Sequence, residues 1–123
     1  MSHIVTIKTK VTDRAALFAA CQRLGVEQPV QGTAQLFSAA ATGLIVKLPG
    51  WHYPVVADLA TGELKFDNYG GAWGKQKELG KLLQAYAVER AKAEARRVGH
   101  SVTEQALADG SIKLTIQVAG GAA

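Results

Sequence analysis

The stretch Asp67-Asn68-Tyr69-Gly70-Gly71-Ala72-Trp73-Gly74 has the residue types best suited to holding a ligand. Its glycines allow close backbone approach, and it leads into a segment of helical pattern. The free amides and positive dipole end of a helix start favour an anion. Lys75 and Lys77 add positive charge there. Tyr69 and Trp73 are suited to stacking on a base or ring. The spacing is neither a P-loop nor a dinucleotide fingerprint. The competing reading is a strand-to-helix turn whose aromatic side chains plug the core.

A second group is basic. Seven basic and three acidic residues lie between Lys75 and Arg97, while the rest of the chain carries seven of each sign. The whole net charge of +4 therefore sits on one segment. Lys77, Lys81 and Lys92 share a helix face opposite Leu79 and Tyr86, with Arg96 nearby. Such a stripe suits tracking along phosphates of a nucleic acid. It equally suits a solvated face, with Arg96 and Arg97 complementing the helix dipole. Glu94 is placed to pair with Arg90 or Arg97. Arg90 and Arg97 lie below the large apolar stripe, so the helix either outruns its sheet or meets a partner there.

The remaining chemistry-bearing residues form no recognisable set. His3, His52 and His100 match no metal-ligand spacing, even with Asp58 or Asp67 added. His3 falls on the apolar face of the first strand. Asp58 and Asp67 form a candidate carboxylate pair across a central hairpin, yet turn and edge positions account for both. Cys21, the single cysteine, lies on an apolar helical stripe and reads as inert core. It excludes an internal disulfide framework. No Ser–His–Asp or Cys–His arrangement stands out, so catalysis is not expected, and neither is a cofactor or a metal.

The elements that position these residues follow from periodicity. Residues 3, 5, 7, 9 and 11 share one face of an opening strand. Thr12-Asp13 supplies an N-cap, and Leu17, Ala20, Cys21 and Leu24 form the stripe of a short helix closed by Gly25. Strands are expected near 30–37, 43–48, 53–59 and 63–68, with Pro49-Gly50 and Ala60-Thr61-Gly62 as turns. A long helix is expected over about 74–98, with Leu79, Leu82, Leu83 and Tyr86 as its large apolar face. An adjoining arc of small residues, Ala87, Ala91 and Ala95 with Val98, allows close approach of another element. Asp109-Gly110 joins a strand near 101–107 to the alternating run Ile112, Leu114, Ile116, Val118. Residues 119–123 read as a frayed tail. The expected fold is α+β: a mainly antiparallel sheet of five to seven strands with both helices on one face, in the order β-α-β-β-β-β-α-β-β. The opposite face would be more polar, or covered by a partner.

Both ends carry a resemblance. Met1-Ser2-His3, Ile7-Lys8-Thr9-Lys10, Asp13, Leu17 and Leu24-Gly25 at one end are joined by Gln84-Ala85-Tyr86-Ala87, Glu94-Ala95, Gly99-His100-Ser101-Val102, Glu104 and Asp109-Gly110-Ser111-Ile112-Lys113-Leu114 at the other. Together these resemble the hypothetical chloroplast reading frame family of cyanobacteria and plastids, also described as domain of unknown function 1257. The 69–74 stretch echoes the family's aromatic-glycine segment. The chain departs from the family at its terminus, Val118-Ala119-Gly120-Gly121-Ala122-Ala123, and at Val88-Glu89, where an aromatic-histidine pair is expected. The resemblance implies no activity and no catalytic residue.

The bulk numbers agree with one folded unit. The chain has 123 residues, 48% hydrophobic and 20% charged, the balance of a globular domain rather than a disordered segment. No apolar run approaches the roughly 18 residues of a membrane span, and the opening residues lack signal-peptide character. A cytoplasmic protein without membrane contact is expected. Three functional readings follow: a binding or adaptor module acting through a protein partner or self-association, a basic nucleic-acid-binding domain, or a small-molecule or nucleotide site at 67–74.

Overall fold

The computed structural model describes residues 4–118. The order of elements is the expected one. β1 (Val5–Lys8) and α1 (Arg14–Leu24) are followed by β2 (Val30–Gln35), β3 (Ala40–Val46), β4 (Val55–Asp58) and β5 (Glu63–Phe66). Then come a 3-10 turn at Tyr69–Gly71, α2 (Gln76–Arg97), β6 (Ser101–Ala106) and β7 (Ile112–Gln117). The histidine at position 3 and the 119–123 tail lie outside the described residues.

Five strands form one antiparallel sheet in the order β1-β5-β4-β3-β2. β6 and β7 form a separate hairpin, with Val102 opposite Ile116 and Glu104 opposite Leu114. A lone hairpin is marginal in water, and this one leans on α2. Gln84 Nε2 donates to Gly110 O at 3.1 Å, and Glu104 reaches Arg23 and Lys92.

Both helices pack on one sheet face. Ala16, Leu17, Ala20 and Cys21 of α1 and Leu79, Leu82, Ala85 and Tyr86 of α2 share a core with Leu44, Val46, Val55, Ala57, Leu64 and Phe66. Burial of these apolar groups is the main source of stability. The opposite face is mixed. Leu36, Ala41 and Val56 are buried there under Ile4, Ala34 and Tyr53, whereas Thr6 and Lys65 stay exposed.

Local chemistry explains the element ends. Asp13 accepts from Ala16 N at 2.9 Å and caps α1. Gly25 ends it in the left-handed conformation at φ 71°. β1 stops at Lys8, earlier than its alternation predicts, because the β4–β5 turn leaves it no further partner. Thr9 instead donates through its amide (2.8 Å) and its hydroxyl (2.6 Å) to Gly62 O. Gly62 sits at φ 79°, and a Cβ there would strike the Thr9 carbonyl.

Candidate functional site

The 67–74 turn is built from inside out. Phe66 ends β5 in the main core, edge-on to Trp51 at 5.6 Å between ring centroids. Asp67 and Asn68 follow it into the interior, 1% and 5% exposed. Asn68 closes the turn. Its side-chain amide donates to Gly74 O (3.1 Å) and Gln76 Oε1 (3.3 Å), and its carbonyl accepts from Gly71 N and Trp73 N. Asp67 Oδ1 accepts from Tyr69 N at 3.2 Å. Asp67 Oδ2 is buried without a hydrogen-bond partner among the described residues. Tyr69 has φ 49°, a conformation uncommon for a side-chain-bearing residue.

Trp73 is the hub of an aromatic cluster. Tyr69 stacks on it at 4.7 Å and 24°. Phe37, Tyr53 and His52 approach it at 5.2, 5.7 and 6.1 Å with tilted or edge-on rings. Phe37 is 57% exposed and Tyr69 44%. The turn's aromatics are thus neither a core plug nor two free stacking plates: Tyr69 and Trp73 already stack on each other. Sequence reasoning missed Phe37, His52 and Tyr53. The run Trp51-His52-Tyr53 after Pro49-Gly50 was the available signal. On the other side, Gly74 lies against the Trp51 ring, which leaves no room for a Cβ. Trp51 Nε1 donates to Lys75 O at 3.0 Å. A cavity of about 400 Å³ beside the α2 start is lined by Gly71, Gly74, Lys75 and Glu78 among others, so charges of both signs face it.

The basic residues of α2 are largely neutralised. Lys81 pairs with Glu78, Arg90 with Asp13 and Glu94, and Arg97 with Glu94. These arginines hold the exposed Glu94 carboxyl down to about 2. Lys92 corrects the sequence reading. Its side chain is 17% exposed and pairs with Glu89 (3.6 Å) and Glu104 (2.8 Å), so it lies under the hairpin rather than on a free stripe. Arg23 shares both carboxylates with it. Hydrogen bonds from Arg23 and Lys92 lower the Glu104 carboxyl to about 2. Lys77 and Arg96 are left exposed without an acidic partner among the described residues.

The small-residue arc does different work along its length. Ala95 is buried, whereas Ala87 and Ala91 line an open groove between α2 and the β1–α1 connection. The groove has a volume of about 920 Å³. Val11, Leu83 and Tyr86 supply its apolar surface, and Lys8, Lys10, Arg90 and Glu94 its charged rim. Among the described residues β1 pairs only with β5, so no described strand covers its outer edge where the groove begins. Neither Lys8, which stands opposite Glu63 in the β1–β5 ladder, nor Lys10 makes an ion pair among the described residues.

The other candidates stay apart. Asp58 Oδ1 accepts from Ala60 N and serves its own turn. Asp58 lies opposite Glu63 in the ladder. Asp67 is four residues beyond Glu63, just past the end of β5, roughly 13 Å along the chain. Burial pushes the Cys21 thiol up to about 11. No group of three or more His, Cys, Asp or Glu that would hold a metal exists among the described residues. No helix among them is long and apolar enough to cross a membrane. No family model matches the chain, and no curated protein or solved structure does so either.

Proposed function

We propose that this chain is a non-catalytic binding module that takes an extended, acidic segment of a protein partner into the groove between α2 and the β1–α1 connection. The observation that carries this reading is the groove's composition: an apolar floor made shallow by Ala87 and Ala91, beside an open strand edge. An extended segment laid against such an edge gains main-chain hydrogen bonds, and its alternate side chains find the apolar floor. Lys8 and Lys10 give the charge preference, because they stand at the groove and neither makes an ion pair among the described residues. The nucleic-acid reading draws less support, since Lys81, Arg90, Lys92 and Arg97 are engaged with carboxylates. On the end motifs quoted above, we also propose kinship with the hypothetical chloroplast reading frame family, which brings no activity to assign.

Selection from a random peptide library, followed by fluorescence anisotropy, tests the groove. Acidic extended peptides should be enriched. Ala87→Arg should abolish their binding, and Lys8→Glu with Lys10→Glu should weaken it at least tenfold while the circular dichroism spectrum is unchanged. Enrichment of basic peptides, or binding indifferent to Ala87→Arg, would overturn the reading.

A further inference from the structure

A different site follows from the orphaned oxygen of Asp67. Buried polar atoms nearly always have a partner, and one without calls for an explanation. Asp67 is 1% exposed, its Oδ1 is engaged by the Tyr69 amide, and its Oδ2 accepts nothing among the described residues. Asp67 directly follows the last residue of β5, and the strand's alternation carried one residue further places it on the sheet face opposite Phe66. That face carries Tyr53, which meets Trp73 edge-on, and Trp73 in turn gathers Tyr69 and the exposed Phe37. An unpaired carboxylate thus lies on the same face as an exposed aromatic cluster.

We propose that the 67–74 turn binds a guanidinium group, with Asp67 as its counter-ion and the Trp73 cluster as its stacking wall. The chemistry selects this cation in two steps. Aromatic faces attract cations, and a flat guanidinium both stacks on them and donates hydrogen bonds. A quaternary ammonium has no N–H and would leave Oδ2 as orphaned as before. The buried carboxylate also sets the turn against the anion that its glycines and helix start suggest. Since Oδ2 is closed to solvent, the guanidinium enters by displacing the Tyr69–Gly71 turn. Gly70 and Gly71, at φ 60° and 104°, give that turn its backbone freedom.

Isothermal calorimetry with methylguanidine, Nα-acetyl-arginine amide, Nα-acetyl-citrulline amide and choline tests the site. Saturable binding of either guanidino probe, at least tenfold tighter than citrulline amide and choline, is expected. Methylguanidine alone would indicate a free small molecule, and equal binding of the capped arginine a peptide side chain; both support the site. Asp67→Asn keeps an acceptor for the Tyr69 amide and replaces the unpaired oxygen with an uncharged NH2 that cannot accept from a guanidinium. It should abolish guanidino binding while the free protein stays folded. Phe37→Ala, at an exposed position, should weaken binding without unfolding and serves if the Asn variant does not fold. No saturable guanidino binding, equal binding of choline, or binding unaffected by both substitutions would overturn the proposal.

Discussion

The Tyr86 hydroxyl of α2 lies 3.0 Å from the amide of Asp13, the residue that caps α1. It also accepts from Thr12 N at 3.1 Å and donates to Lys10 O at 3.2 Å. One side chain thereby satisfies three backbone groups where the chain leaves β1 and enters α1. These groups are partners that neither the strand ladder nor the helix provides. The same ring lines the groove, so the joint that holds the two helices in place also fixes one of its walls.

Tyr86→Phe is expected to destabilise the protein by about 1–3 kcal/mol, because it removes the hydroxyl and leaves those partners in place. Urea unfolding should show a lower midpoint with an unchanged slope. An unaltered midpoint would mean that water replaces the hydroxyl at no cost.

Glu104 ties the hairpin to both helices, and its effect should be dependent on pH. Arg23 and Lys92 lower its carboxyl from 4.5 to about 2. A carboxyl depressed by folding contributes stability above its unfolded value, and the contribution is lost as pH falls through the folded value. The window therefore runs from about 4.5 down to about 2. Glu104→Gln should lower stability at pH 7, by about 1 kcal/mol or less after solvent screening. The difference from the parent should shrink on acidification through that window. Thermal melts of both proteins across this range check it, and a difference constant with pH would assign the effect to packing.

Gly74 offers a test of the packing behind the turn. A Cβ at this position would enter the Trp51 ring, and that ring is fixed by its hydrogen bond to Lys75 O and by Phe66. Gly74→Ala should cost about 1–3 kcal/mol, as overpacking of a filled site does. Gly80→Ala, with nothing nearby and mid-helix, should instead stabilise by about 0.5–1 kcal/mol. Paired denaturation curves distinguish the two, and a neutral Gly74→Ala would show that Trp51 gives way.

What the sequence disclosed and what it hid divide along sequence distance. The strands and helices were legible because their signals are local: alternation in β7, the Leu17-Ala20-Cys21-Leu24 stripe, and Gly25, Gly62 and Gly110 where the chain needs a positive φ. Lys92 looked like its neighbours on the helix. Its carboxylate Glu104 comes from a strand that packs back over it, and no helical spacing reveals such a pair. The groove joins residues 8–12 to residues 83–94, and the aromatic cluster joins Phe37, Tyr53 and Trp73 from three separate connections. Only tertiary packing creates these. Asp67 was visible as a turn residue, but the unpaired state of one of its oxygens was not.

Cys21 gives the sharpest probe of how the core opens. It is fully buried, and burial raises its thiol to about 11. At pH 8 only about 0.1% of such a thiol is ionised, against roughly a quarter for an ordinary cysteine. The thiolate is the reactive form, so a disulfide reagent should label the native protein at least a hundredfold more slowly than the urea-unfolded chain. The residual rate should follow the stability of the variants above: faster in Tyr86→Phe, slower in Gly80→Ala. The sign with pH is fixed as well. A thiol raised by folding adds stability that is complete below its unfolded value and is lost as pH rises toward about 11. Labelling of the folded protein at the unfolded rate would show that the α1 face of the core is open in solution.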